Sequence, residues 1–374
     1  MRVLVLGAGY AGLTLAHRLS RSLPTDAELT LVDETGSHLI QHELHRVIRR
    51  PALAAELTIS LTDLFPEHTI LRARVEHVSP EEKTVALDTG ETLSYDICAV
   101  CLGAETAYYG LPGLSEHATP LKTVADATAI HDRFVELGPE DGHVLVCGAG
   151  LSGIQTAGEL AALATERGWE SKVRLLEQAH SVAPGFPKNF RRAVRDALTS
   201  EGVTIETETT VLRADDTAVH LEDGTMAYDQ LIWTGGIAGP AALDGTRHRV
   251  RYTLEVADGT FVVGDAADVI DADGQRVPAS AQAAIREARA VARSIEKIAA
   301  HDPADAFSPR RSAFRFDSPG WIVTVGEQTV AQVGPTIITG TPALALKASI
   351  GAGYLTQIGA VEEALDLVRA EFSD

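Results

Sequence analysis

Three glycines open the chain at positions 7, 9 and 12, in "VLGAGYAG", and three more at 148, 150 and 153 repeat the spacing in "VCGAGLSG". Each G-x-G-x-x-G stands between an apolar run and a helix-like segment. In that setting the first glycine permits a tight turn, the second lets the backbone approach a pyrophosphate, and the third lets the helix pack close to the strand. The helix N-terminus adds free N–H groups and partial positive charge for phosphates. An acid follows each loop at the end of the next apolar run: Asp33, 21 residues after Gly12, and Glu177, 24 residues after Gly153. Such a carboxylate can accept hydrogen bonds from a ribose diol, and Glu177 would repel a 2′-phosphate, which favours NADH over NADPH. Two loops imply two dinucleotides brought face to face. A third signal is "FVVGDAAD", where Gly264 and Asp265 follow a short apolar strand. A buried Asp there needs a polar partner. A flavin's ribityl hydroxyl would serve, and so would the backbone of the following turn.

These residues need a scaffold. Residues 2–7 read as a buried strand, 11–22 as a helix with Leu13, Ala16 and Leu19 on one face, and 28–34 as a second strand. Residues 74–104 read as hairpins feeding another buried strand, and 108–127 as a turn-rich crossover linker. The pattern restarts with a strand at 143–150, a helix at 154–167 and a strand at 172–178. "EDGTMAYDQLIWTGG" closes this unit much as "DTGETLSYDICAVCLGA" closes the first, which argues for an internal duplication. A long helix is expected over 279–300, a linker over 301–312, then short strands and two helices at 342–356 and 360–372. The expected fold is α/β: two Rossmann-like dinucleotide-binding domains and a small C-terminal α+β domain. The boundaries are 1–112 with 253–312 for the first domain, 113–252 for the second and 313–374 for the third.

Composition narrows the classes. The chain has 374 residues, 45% of them hydrophobic, enough for two or three domain cores. No run of 18 apolar residues predicts a membrane-spanning helix. Met1 leads straight into a strand-like run, which leaves no room for a signal peptide. Three cysteines are too few for a disulfide framework and fit a reducing cytoplasm. The net charge of −20 with only six lysines resembles proteins of salt-loving archaea. Such a surface repels nucleic acid, and repels an anionic membrane unless salt screens it. The expected location is the cytoplasm, with peripheral contact to the inner face of the cell membrane.

Taken together, the stretches resemble the two-dinucleotide-binding-domain flavoproteins. Within that group the chain is similar to type II NADH dehydrogenases, the single-subunit NADH:quinone oxidoreductases. The resemblance rests on "VLGAGYAGL", "LTLVDE", "YDICAVCLGAETAYYGLPGLSEHATPLKTVADA", "GAGLSGIQTAGELA", "VVGDAAD" with "PASAQAA", and "FRFDSPGWIVTVG". It implies hydride transfer from NADH to FAD and then two electrons to a quinone, without proton pumping. By the same resemblance Gly7, Gly9, Tyr10, Ala11, Gly12, Asp33, Glu34, Val75, Gly103, Gly264 and Asp265 line FAD, with Ala281 and Gln282 under the isoalloxazine facing the quinone. Gly148, Gly150, Leu151, Ser152, Gly153, Glu177, Gly235 and Gly236 hold NADH. Gln155, Glu159 and Gln282 are the implied catalytic positions. Two departures stand out. Gln155 replaces a usual Glu, and a neutral amide hydrogen-bonds but is no base. Arg286 stands where a second Gln is common, and Ala288 where a small residue or Gly is.

Other readings compete. Sulfide:quinone oxidoreductase and thioredoxin-reductase chemistry need a cysteine pair at the flavin, but Cys98 and Cys101 sit three apart on one strand and point to opposite faces. With Cys147 they read as small buried hydrophobes. His38, His42 and His45 read as a helix near the flavin rather than a metal site, and no metal is expected. A reductase of a soluble acceptor and a low-turnover flavin-binding sensor stay open, and a homodimer is compatible with the pattern. The tail carries Leu344, Ala348, Leu355, Ile358, Leu365 and Val368 at helical spacing. They read as an interfacial helix pair giving weak peripheral membrane contact, with Lys347 and Arg369 its only bases and Glu362, Glu363, Asp366 and Glu371 opposing anionic lipid.

Overall fold

Strand Arg2–Leu6 carries Val3, Leu4, Val5 and Leu6 with almost no exposed surface, so it must be covered on both faces. That is the condition for a central strand of a parallel sheet. The computed structural model, which describes residues 1–66, 68–139, 142–170, 172–302 and 307–372, shows this arrangement. Six strands lie in the order Glu255–Ala257, Thr260–Val262, Ile97–Val100, Arg2–Leu6, Glu28–Asp33 and Thr69–Arg72. All neighbours are parallel except the first pair. Strand Thr260–Val262, more than 150 residues downstream in sequence, thus completes the sheet that the N-terminus begins.

A second sheet has the order Thr204–Glu206, Val173–Leu176, Val144–Cys147 and Gln230–Trp233, all parallel. It reproduces strand for strand the order of the first sheet from Thr69–Arg72 to Ile97–Val100. Each sheet also carries a three-stranded antiparallel insertion just before its last matching strand, Val75–Ser94 in the first and Val211–Ala227 in the second. The internal duplication read from the sequence is therefore a duplication of topology. A third antiparallel sheet of Gly320–Val325, Gln328–Val333 and Thr336–Thr339 leads into helices Thr341–Gln357 and Val361–Phe372. The latter two match the expected tail helices.

Several expectations need correction. The second loop helix begins at Leu151, not 154, because Gly150 is its extended N-cap. The supposed linker 108–127 contains the short helix Leu114–His117 and the start of helix Val124–Leu137. A capping box of Thr123 and Asp126 starts the latter, a signal present in "TVAD". Helix Lys188–Ser200 was not read from the sequence, although Phe190, Val194, Ala197 and Leu198 make one buried face. His38 lies in strand Ser37–Leu39, and His42 and His45 lie in separate short turns of helix rather than one helix. Residues 303–306 of the 301–312 linker lie outside the described residues. Among the described residues no helix is long and apolar enough to cross a membrane.

Candidate active site

The two loops are geometrically twins. Gly7 and Gly148 have φ of +89° and +102°, where side-chain-bearing residues are strained. A Cβ on Gly12 would lie 1.8 Å from the Gly7 carbonyl oxygen, and one on Gly153 1.8 Å from that of Gly148. These two glycines let each helix sit on its strand. Gly9 and Gly150 differ: a Cβ there meets nothing within 4 Å. Both are extended N-caps without a side-chain cap, so helices Tyr10–Ser22 and Leu151–Glu166 begin with N–H groups that no N-cap side chain satisfies. Two long helices thus present bare N-termini over cradles that a side chain would fill, which fits pyrophosphates.

The acids at the strand ends are built alike. Asp33 Oδ2 accepts the Ala8 N–H at 2.8 Å, and Glu177 Oε2 accepts the Ala149 N–H at 2.7 Å. The remaining Asp33 oxygen accepts from Thr35 and Gly36, and that of Glu177 from Ala179. Each carboxylate fixes its glycine loop while keeping lone pairs for a ribose. Glu34 is exposed beside Asp33, and Ser152 is exposed at the second helix start, next to half-buried Leu151. Gly235 packs so closely that a Cβ on Gly148 would lie 2.7 Å from its Cα, and a Cβ on Gly236 would collide with the Tyr109 hydroxyl. Gly103 has φ +70° with open space around it, and buried Val75 pairs opposite Leu87.

Tyr10 turns its ring inward. It packs edge-on against His38 at 5.2 Å and tilted on Tyr354 at 5.0 Å, and its hydroxyl bonds His42 Nδ1. Only the backbone of Tyr10, with that of Ala11, is left for the loop. His38 Nδ1 donates to the Ala8 carbonyl at 2.8 Å, and burial lowers its pKa to about 4, so the ring is neutral and its Nε2 accepts from Tyr354. The tail helix thereby braces the first loop.

Gly264 opens a one-turn helix, and its N–H donates to Glu287 at 2.7 Å. Burial pushes the Glu287 carboxyl up to about 8, against the Gly264 bond. No described group donates a hydrogen bond to the neighbouring Asp265 carboxylate. Burial raises its pKa, while Lys122 and Arg247 oppose the rise. A half-buried carboxyl left without a donor fits a hydroxylated ligand. Lys122 was missed in the sequence because it lay in the presumed linker. Ala281 and Gln282 start the long helix Ala281–Ala299, and the Gln282 amide contacts the Ser318 hydroxyl at 3.1–3.2 Å. Arg286 stacks over Phe316 and donates to the Asp317 carbonyl, and Ala288 is fully buried.

Gln155 and Glu159 lie one turn apart in a buried charged cluster that sequence reading did not find. Gln155 Nε2 is 3.3 Å from His45 Nε2. Glu159 pairs with Arg49 at 2.7 Å and lies 3.8 Å from His45. Burial pushes the Glu159 carboxyl up to about 7, against Arg49, Lys347 and Arg46. Burial also holds His45 well below its usual value, aided by Lys347, so its ring is neutral. Nearby Glu43 pairs with Lys347 at 2.8 Å and Arg46 at 3.3 Å. Burial acts to raise Glu43, but Lys347, His42, His45 and Arg46 outweigh it and keep it ionised. Lys347 is therefore an interior cation, not a base on the tail's surface. Ala348, Leu355 and Ile358 are likewise buried, and Leu344 and Val368 half-buried, so of the six tail positions only Leu365 is exposed.

The three cysteines are buried and unpaired, and Cys101 lies just past the strand that holds Cys98. Burial raises all three thiols, that of Cys147 to about 12, so none is a ready nucleophile. Among the described residues no group of His, Cys, Asp or Glu is arranged to hold a metal.

Comparison with known proteins agrees with this geometry. The chain is 27% identical over 312 residues to the demethylphylloquinone reductase NdbB of Synechocystis sp., covering 76% of each chain. It is 27% identical over 347 residues to the type II NADH:quinone oxidoreductase of Staphylococcus saprophyticus, covering 82% of this chain and 84% of that one. Its fold matches that of NDH2 from Plasmodium falciparum, solved in complex with NADH, with a TM-score of 0.82 at 14% identity over 99% and 98% of the two chains. The family profile for pyridine nucleotide-disulphide oxidoreductases matches residues 1–288, the span that holds both glycine loops, Asp265 and Gln282, and the chain belongs to that family.

Proposed function

We propose that the chain is an FAD-dependent NADH:quinone oxidoreductase of the type II kind. The observation that carries this reading is the pair of twin loops whose second glycines face open space at bare helix N-termini, with Asp265 and Gln282 set beyond the first of them. When bound, FAD supplies a two-electron carrier between a nicotinamide donor and a quinone acceptor. The chain's part is to bind, orient and exclude water.

In this reading Gly7, Gly9, Gly12 and the N–H groups of Tyr10 and Ala11 hold the flavin's pyrophosphate, Asp33 its ribose and Asp265 its ribityl chain. Gly148, Gly150, Gly153 and Glu177 hold NADH in the same way. Residues 1–112 and 253–312 form the flavin domain, 113–252 the NADH domain and 313–374 the acceptor-side domain. Gln155 hydrogen-bonds near the nicotinamide and takes no proton, which suits a hydride step governed by ring stacking. Neutral His45 lies 3.3 Å from the Gln155 amide, and Glu159 lies beyond it, 3.8 Å from His45. Gln282, tied to Ser318, presents an amide toward the quinone.

Membrane contact rests on a smaller surface than helical spacing implies: among the described residues, Ile350, Val361 and Leu365 are the large apolar side chains the tail exposes. The deciding experiment reduces the purified flavin-loaded protein anaerobically with NADH and then adds quinones, ferricyanide or a ferredoxin. Fast reoxidation by a quinone supports the reading. Reoxidation by the protein acceptor alone, or by none, rejects it.

A further inference from the structure

A strongly basic cleft lies where the first loop helix meets the long helix and the end of helix Thr341–Gln357. A cavity of about 350 Å³ is lined by His17, Arg18, Arg21, Arg289 and Glu296, among others. An adjoining cavity of about 330 Å³ shares Arg289 and adds Arg286, Arg293 and Arg315. Six guanidiniums thus line two cavities that share Arg289, in a chain whose net charge is −20.

Their neutralisation is incomplete. Arg18 pairs with Glu296 at 2.8 Å and Arg315 with Asp273 at 2.9 Å. Arg286 and Arg289 instead donate to neutral oxygens, the Asp317 carbonyl and the Gln357 amide. Arg21 and Arg293 make no ion pair among the described residues. Arg286, Arg289 and Arg293 follow one another at i, i+3 and i+7, so they share one helix face, and like charges at this spacing destabilise a helix. Burial lowers the Arg289 pKa, and repulsion from Arg286, Arg18 and Arg293 adds to it. His17 also faces the first cavity, with a buried Nε2 that has no hydrogen-bond partner. Burial and Arg21 hold its ring neutral. Repelling forks gathered around an open cavity are the arrangement that a bound multivalent anion relieves, and guanidinium forks match phosphate oxygens in pairs.

We propose that this arginine cleft binds a phosphate group, carried either by a lipid headgroup or by a free phosphate anion. The site is independent of the nucleotide loops and of the redox reading. The experiment uses flavin-loaded, full-length protein at low ionic strength. In one arm inorganic pyrophosphate is titrated calorimetrically. In the other, the protein is sedimented with phosphatidylcholine vesicles, with and without phosphatidylglycerol. The variants are Arg289→Gln/Arg293→Gln, the charge-conserving Arg289→Lys/Arg293→Lys, and Arg192→Gln/Arg195→Gln as a pair of equal charge change on another helix.

Saturable binding that falls at least tenfold in the Arg289→Gln/Arg293→Gln protein, falls less in the Lys pair and is unchanged in the distant pair supports the site. Preference for phosphatidylglycerol that pyrophosphate competes away assigns the phosphate to a lipid. Pyrophosphate binding without that preference assigns it to a soluble anion. Absence of saturable binding in both arms overturns the proposal, and so does an equal loss in the distant pair. Flavin content and circular dichroism report folding. If the double variant misfolds, Arg293→Gln, at an exposed position, is held to the same tenfold criterion.

Discussion

The twin loops give a test in which fold and binding separate cleanly. Consider Gly150→Ala. The backbone of Gly150 has φ −69° and ψ 178°, which alanine adopts freely, and the new methyl meets no protein atom within 4 Å. Folding should therefore be undisturbed, or favoured by about 0.4–1 kcal/mol through the less flexible unfolded chain. The methyl does occupy the space into which a pyrophosphate must come to reach the N–H groups of Leu151 and Ser152. Losing two hydrogen bonds to a charged group, at about 1.5–3 kcal/mol each, costs about 3–6 kcal/mol. That weakens NADH binding by roughly 100-fold to 20,000-fold. The variant should purify yellow, melt no lower than the wild type, and show this loss in the NADH concentration dependence of anaerobic flavin reduction. Gly9→Ala should do the mirror experiment: a stable but colourless protein. Gly153→Ala is the counter-case, because its Cβ would sit 1.8 Å from a backbone oxygen, and it should damage folding itself. An NADH affinity within threefold of wild type in Gly150→Ala would refute the reasoning, as would a loss of stability equal to that of Gly153→Ala.

Other perturbations follow from the same geometry. Glu177→Ala should narrow the preference for NADH over NADPH, measured as the ratio of kcat/KM values, by roughly 1–3 kcal/mol, since a ribose acceptor and a source of repulsion are both lost. Glu287, with its pKa raised by burial to about 8, binds more protons folded than unfolded between about pH 4.5 and 8, so its contribution to stability falls as pH rises through that window. Glu287→Gln still accepts the Gly264 N–H, and it should raise the melting temperature at pH 9 well above any gain at pH 5, the carboxylate's burden reaching about 5 kcal/mol. Lys347→Met strips Glu43 of its 2.8 Å partner and should cost about 3–5 kcal/mol, read as a fall in denaturation midpoint at pH 7. Replacing Ile350, Val361 and Leu365 together by Ser should reduce activity with long-tailed quinones in liposomes and spare water-soluble acceptors. An equal loss with both acceptor types would mean the three positions serve folding rather than membrane contact.

What could be read from the sequence was local. A G-x-G-x-x-G loop, its flanking strand and helix, and the acid that follows lie within about 30 residues, and short-range sterics force their geometry. Gly7, Gly12, Gly148 and Gly153 could be assigned their backbone roles before any fold was known, and the repetition of the loop pointed to a duplicated unit. The charged cluster had no such signature. Glu43 meets Lys347 across 304 residues, and Arg49 meets Glu166 across 117 and Glu327 across 278. Each is an ordinary charged residue in its own segment. The tail shows the converse failure. Helical spacing of Ala348 and Leu355 correctly predicts a helix, but periodicity does not say what covers its buried face. The structure covers it with the protein's own core, and Lys347 and Tyr354 lock the same helix to Glu43 and His38 beside the first loop. A tail so placed couples two properties that a detachable membrane anchor would keep apart. Removing residues 342–374 would uncover Glu43, His38 and the inner face of Tyr10 together, so the expected result is loss of flavin as well as of quinone activity. Only substitutions confined to the exposed side chains can tell membrane contact from core.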